Sequence, residues 1–213
     1  MQFERQHVLR WGGASGMAAA LILAGMALVG VLAGPGSAQL LQPTDAALLT
    51  KLMTESHQLV QASVLLDDLF VLAYTGGFLA LAALVWPRSR WIAGIAMMWG
   101  LAAAFLDLDE NARLWILVQG VGGAADIGPG TVREVALISQ LKFLCSHVAV
   151  FLLALGLPRW DRLSWGVTIL LFLFPVASTL AFAHALAGLA RLLLMGLLLA
   201  LGGWLAWQRS QEG

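Results

Sequence analysis

Asp107, Glu110 and Asn111 stand at i, i+3 and i+4, the spacing that puts three side chains on one face of a helix. They follow an apolar run that begins at Trp91, and apolar residues resume after Arg113 through Val118. A charge inside or at the edge of a membrane-spanning helix is costly, so it usually faces protein or water, has a partner and is often functional. Two carboxylates and an amide on one face can orient a polar ligand or carry a proton. Lys142 and Arg191, on later apolar runs, can offset these acids or attract an anion. Asp67, on an earlier run, adds a further carboxylate.

Depth brings these residues to one level. Counting at about 1.5 Å per residue from the inner boundary of each run, Asp67 lies about 28 Å from Trp86, Asp107 about 24 Å and Glu110 about 28 Å from Trp91, Lys142 about 22 Å from Leu157, and Arg191 about 24 Å from Trp207. Four separate helices thus place ionisable groups near the outer edge of a hydrocarbon core about 30 Å thick. Ser63, Asp67 and Tyr74 share one face. Ser139, Lys142 and Ser146 form another, with Gln140 and His147 on the adjacent stripe. The simplest assembly sets Lys142 and Arg191 against Asp67, Asp107 and Glu110, while Asp109 and Arg113, at i and i+4, pair with each other.

The elements that must position these groups are six apolar helices, each long enough to span. They are predicted at Ala14–Gly34, Ser63–Trp86, Trp91–Val118, Val132–Leu157, Leu163–Ala183 and Ala187–Trp207, with the last turn at His184–Gly188 and a kink at Pro175. The fold class is therefore all-α: a polytopic integral membrane bundle forming one domain over residues 1–213. Residues 42–60 read as an extracytoplasmic amphipathic segment, because Leu48, Leu49, Leu52, Met53 and Leu59 recur at helical spacing among Thr44, Asp45, Lys51, Glu55 and His57. Arginine is concentrated at the N-terminus, in the loops at 87–90 and 158–162 and at the C-terminus, so both termini are expected in the cytoplasm. Arg5, Arg10 and the Gly36-Ser37-Ala38 stretch imitate a signal peptide, but the apolar run exceeds a usual h-region, and an uncleaved first helix is expected.

Composition narrows the classes. The chain is 60% apolar and 11% charged with zero formal net charge, which fits a membrane protein and excludes nucleic acid as an expected partner. Cys145 is the only cysteine, so no disulfide framework or CxxC metal site forms within one chain. Ten of the twelve basic residues are arginine and only Lys51 and Lys142 are lysine. With the wealth of Ala, Leu and Gly, this suggests a GC-rich bacterial source and hence an inner membrane. Expected partners are membrane lipids and a membrane-protein partner or a second copy of the chain.

Catalytic chemistry has a narrower basis. His147 counts to about 15 Å from Leu157, and His184 to about 31 Å from Leu163. One metal held by both would need a strongly bent fifth helix, so His57, His184 and one of Asp67, Asp68 or Glu110 form the better outer trio. Metal and haem remain open as cofactors. The residue types of an alkaline-ceramidase-like membrane hydrolase occur here, but its paired H-x-x-x-H and S-x-x-x-H do not, and the helix count is short by one. No H-E-x-x-H, G-x-S-x-G or phosphate-binding loop occurs either. The leading expectation is a charged polar pocket at the extracytoplasmic leaflet that binds or translocates a small anionic ligand or lipid headgroup. Its residues are Asp67, Asp107, Glu110, Asn111, Lys142 and Arg191. One alternative is an intramembrane lipid-modifying enzyme using His147, His184 or Glu110. The other is a non-catalytic membrane subunit whose ion pairs are structural.

Overall fold

The computed structural model describes residues 2–33, 45–120, 127–181 and 185–212. Among them are seven helices and no strand: α1 (Gln2–Ala33), α2 (Ala46–Glu55), α3 (His57–Val85), α4 (Arg90–Gly120), α5 (Pro129–Gly156), α6 (Arg162–Leu180) and α7 (Ala185–Gln211). All except α2 are long and apolar enough to cross a membrane. The six long helices close a ring in space, α1–α3–α4–α5–α6–α7 and back to α1, with α3 also touching α7 and α5 across the middle.

The predicted spans are recovered, with shifted ends. The first helix begins at Gln2 rather than Ala14, because its polar first turns still pack on the bundle. Leu9 is buried in the core, and the Arg5 Nε donates to the Ala83 carbonyl at 3.3 Å. Pro175 lies inside α6 without ending it. Of the expected turn at His184–Gly188, Ala185 onward already belongs to α7, and residues 182–184, His184 among them, lie outside the described residues. Of the 42–60 segment, residues 42–44 are likewise outside. The rest is an amphipathic helix at Ala46–Glu55, capped by Asp45, whose carboxylate accepts from the Ala47 and Leu48 backbone N–H groups; residues from His57 onward already belong to α3.

Close helix approach is built on glycine. A Cβ at Gly12 would sit 2.5 Å from the Gly76 carbonyl oxygen, and one at Gly13 2.7 Å from that of Gly203. These contacts seat α1 against α3 and α7, the close approach that residues without a Cβ permit. The outer surface is apolar instead of polar: Trp91, Phe105, Leu21 and Val31 are all more than 70% exposed, as lipid-facing positions should be.

Two apolar clusters bracket the charged layer. One draws Val85, Ala93, Leu153, Leu157, Val167, Leu171 and Leu205 from the end near the chain termini. The other packs Leu49, Leu52 and Met53 of α2 onto Val60 and Val64 of α3, Leu114 and Val118 of α4, and Val132 and Val135 of α5. Since α2 buries its apolar side here, it acts as a cap on the α3–α4–α5 end of the bundle.

At the opposite end arginines meet tryptophans: Arg10 over Trp207, Arg159 over Trp165 and Arg209 over Trp160, at 5.6, 4.7 and 4.6 Å from the ring centres. Asp161 caps α6, accepting from the Ser164 N–H at 2.8 Å while its own N–H donates to Ser164 Oγ. The Ser164 N–H, and then the Arg209 guanidinium paired with it, hold the Asp161 carboxyl below the usual carboxylate range.

Candidate functional site

Within two turns of Leu114, α4 turns Asp107, Glu110 and Asn111 into the bundle, where they are 6%, 2% and 3% exposed. Their shared helical face makes this inevitable once α4 packs between α3 and α5. Lys142 of α5 reaches across and donates to Asp107 Oδ1 at 2.7 Å and to Glu110 Oε2 at 2.5 Å. The Tyr74 hydroxyl of α3 donates to Asp107 Oδ2 at 3.0 Å, so both oxygens of Asp107 are engaged. The Asn111 amide donates to Asp68 Oδ1 at 3.0 Å and also hydrogen-bonds Asp67, which lies within the fields of Asp107, Glu110 and Lys142. Ser139 hydrogen-bonds the Glu110 carboxyl group, whose Oε1 is buried without a well-formed hydrogen bond.

The chemistry of this centre is mutual neutralisation. Desolvated charges are tolerated only with close partners and satisfied lone pairs, and here a single ammonium is shared by two carboxylates. The network ties α3, α4 and α5 in one layer, and α2 caps the neighbouring end of the same three helices. On the rim of α4, Arg113 pairs with Asp109 at 3.0 Å, as its spacing predicts, and reaches Glu134 of α5 at 3.4 Å.

Arg191 is placed elsewhere. Its guanidinium stacks 5.0 Å from the centre of the Phe143 ring, and the Lys142 ammonium lies 5.4 Å from the same ring. Phe143 thus divides the two cations. Among the described residues Arg191 makes no ion pair, and its Nη1 is buried without a hydrogen-bond partner. Its charge is felt by His147, whose Nε2 is also buried and unpartnered and whose ring meets Phe143 and Phe174. Beside this pair an open recess of about 420 Å³ is lined by Gln140, Phe143, Leu144, His147 and Thr179.

The expected pocket is therefore two sites side by side. Asp67, Asp107, Glu110, Asn111 and Lys142 come together, while Arg191 joins His147. Asp68 is drawn to Asn111, and His57 is exposed at the start of α3. Among the described residues no three His, Cys, Asp or Glu side chains are grouped to hold a metal, so His57 and Asp68 do not assemble such a site there; His184 lies outside those residues. No carboxylate hydrogen-bonds His147 among the described residues. Cys145 is buried and free. Tyr74, Phe143 and Thr179 enter the site without having been singled out for it. Tyr74 was visible in its shared face with Asp67, but the apolar Phe143 and the isolated Thr179 carried no signal.

Fold and site define a polytopic helical membrane protein with a buried ion-pair network. No family model, curated protein or solved structure matches the chain.

Proposed function

We propose that this is a bacterial inner-membrane protein, with both termini in the cytoplasm, that binds an anionic group at the extracytoplasmic leaflet. The observation that carries the reading is Arg191: a guanidinium in a membrane-spanning helix, with no ion pair among the described residues and a buried free Nη1 beside an open recess. Such a charge is costly in lipid unless a counter-charge or water meets it. A guanidinium is suited to carboxylate and phosphate oxygens. Gln140 and His147 line the recess and supply further polar groups.

Lys142 belongs to a different role. Two carboxylates already occupy it, so the anion reading rests on Arg191. Binding is favoured over alternating carriage, since a carrier needs its site reached from both sides and the inner half here is filled by apolar side chains.

The test is native mass spectrometry of gently purified protein with phosphorus analysis on the same sample. A stoichiometric anionic ligand, lost in Arg191→Gln but kept in His57→Gln, is expected. A bare, stable protein, or a ligand indifferent to Arg191→Gln, would overturn the reading. A second reading, a subunit whose charges only fix helix register, draws support from the Lys142 network, and a bare bundle would favour it.

A further inference from the structure

We infer that two loops at the end of the bundle opposite α2 together bind the headgroup of an anionic phospholipid, through Arg88 and Arg90 at one loop and Arg159 and Arg162 at the other. Arg209, which pairs with Asp161 of the second loop, is about 27 Å along α7 from Arg191, so this site is separate from the anion reading above and does not rest on it. Three observations carry it.

The first is that the two loops form one surface. Residues 86–89 join α3 to α4, and residues 157–161 join α5 to α6. The Arg88 Nη1 donates to the Leu157 carbonyl at 3.4 Å. A Cβ on Gly156 would sit 2.4 Å from Val85 Cγ1 and 3.0 Å from Ile92 Cγ2, so the end of α5 lies directly against the α3–α4 turn. Arg88 therefore stands at a seam, with Arg90 opening α4 on one side and Arg159 and Arg162 following on the other.

The second is charge. All four arginines are exposed, and none of the four has an ion pair among the described residues. Asp161 is the only acid in residues 86–91 and 157–165, and it is already engaged by the Ser164 N–H and by Arg209. No acidic residue stands in the first turn of α4, so the positive end of that helix dipole adds to the four charges. A guanidinium matches phosphate oxygens with paired N–H donors.

The third is level. Trp91 is 83% exposed, and Trp86, Trp160 and Trp165 are exposed as well. Tryptophan at the ends of spanning helices sits among the headgroups, so these arginines stand where phospholipid phosphates already are. The Arg159 guanidinium lies over the Trp165 ring, 4.7 Å from its centre. Stacking holds the guanidinium by its face and leaves its N–H edge for a phosphate. A zwitterionic headgroup would bring its own cation against this surface, so a net-anionic lipid is preferred.

The experiment places the full chain in nanodiscs of phosphatidylcholine with phosphatidylglycerol as a minor component. A phosphatidylglycerol with a photoactivatable group beside the glycerol maps the contact, and a phosphatidylcholine carrying the same group is the comparison. Phosphatidylglycerol is expected to crosslink to residues 86–91 and 157–165 in preference to phosphatidylcholine, and high salt should erode the preference. The double variant Arg90→Gln, Arg162→Gln should lower the crosslink about tenfold or more, at roughly fivefold per charge, while Arg90→Lys with Arg162→Lys keeps the charge and most of the crosslink. Equal crosslinking of the two lipids by the parent protein would overturn the inference, and that comparison decides the matter should a variant fail to fold. A crosslink indifferent to the glutamine pair, or lost equally in the lysine pair, would also overturn it, because charge would then not be what holds the lipid.

Discussion

Two cations stand on either side of one phenylalanine and meet opposite fates. Lys142 is 16% exposed in its side chain and is gripped by two carboxylates. Arg191, on the other side of Phe143, has an aromatic ring for company and a free buried nitrogen. Acids are plentiful nearby, yet among the described residues none pairs with Arg191. The helix faces explain this. Asp107 and Glu110 project from α4 toward α5, whereas Arg191 rises on α7 beyond α6 and reaches α5 from its far side. A charge satisfied inside the protein is architecture; a charge left for something outside is a site. The largest effects of mutation should therefore fall on one side of Phe143 for stability and on the other for binding.

Lys142→Met should be the most damaging change, costing about 3–5 kcal/mol, because removing one partner leaves buried charge uncompensated. The geometry sharpens how it should be rescued. Lys142 holds two carboxylates, so adding Glu110→Leu to Lys142→Met should recover stability only in part, with Asp107 still stranded. The triple change that also carries Asp107→Asn should recover most of it, since the Tyr74 hydroxyl can still donate to the amide oxygen. Thermal unfolding in a mild detergent reads all three. A triple variant as unstable as Lys142→Met alone would mean that the network does not explain the loss.

The second contrast pairs removals that are chemically alike. Tyr74→Phe deletes the donor to Asp107 Oδ2 and should cost about 1–3 kcal/mol, the penalty for a buried acceptor left unmatched. Arg191→Gln deletes a cation that has no ion pair among the described residues and should leave stability within about 1 kcal/mol of the parent, or raise it, because an unpaired charge leaves the membrane. If Arg191→Gln unfolds the protein as Lys142→Met does, then Arg191 is a structural partner after all and the division at Phe143 is wrong.

Much of this layer was legible before any coordinates. Helical spacing put Asp107, Glu110 and Asn111 on one face, and counting depth brought Lys142 level with them; both rest on the fixed rise and pitch of the helix, which local sequence cannot evade. What counting could not decide was which helix stands beside which. Arg191 has the right depth for the acids, but the ring order α4–α5–α6–α7 puts α5 and α6 between them. Neighbour order follows from packing surfaces such as Gly13 against Gly203, where two glycines permit contact only if α1 and α7 already lie side by side. Phe143 shows the same limit. A phenylalanine in an apolar run is ordinary, and its role as a divider exists only once α7 is in place.

The smallest expected effects belong to a third ion pair, which calibrates the other two. Arg209 and Asp161 meet at the end of the bundle opposite α2, where the Asp161 side chain is 42% exposed. Solvent screening should hold the contribution of this pair to about 1 kcal/mol or less, and salt should weaken it further, while the buried Lys142 network should barely respond. Its pH dependence has a definite sign. The Asp161 carboxyl is held below its ordinary value of 3.8, by the Ser164 N–H first and Arg209 with it. Folding therefore gains from this group above that ordinary value, and the gain disappears as pH falls through the lower folded value. Between pH 5 and 8, roughly the plateau of stability for most proteins, Asp161 should contribute a constant amount. Asp161→Asn keeps an oxygen to cap α6 and should remove only the charge. Its unfolding midpoint should trail the parent slightly at neutral pH and low salt, and the gap should close in high salt and as pH falls through the lowered folded value of Asp161. A gap that persists in high salt would show that this exposed pair is insulated from solvent, and burial could then no longer be what separates Lys142 from the surface.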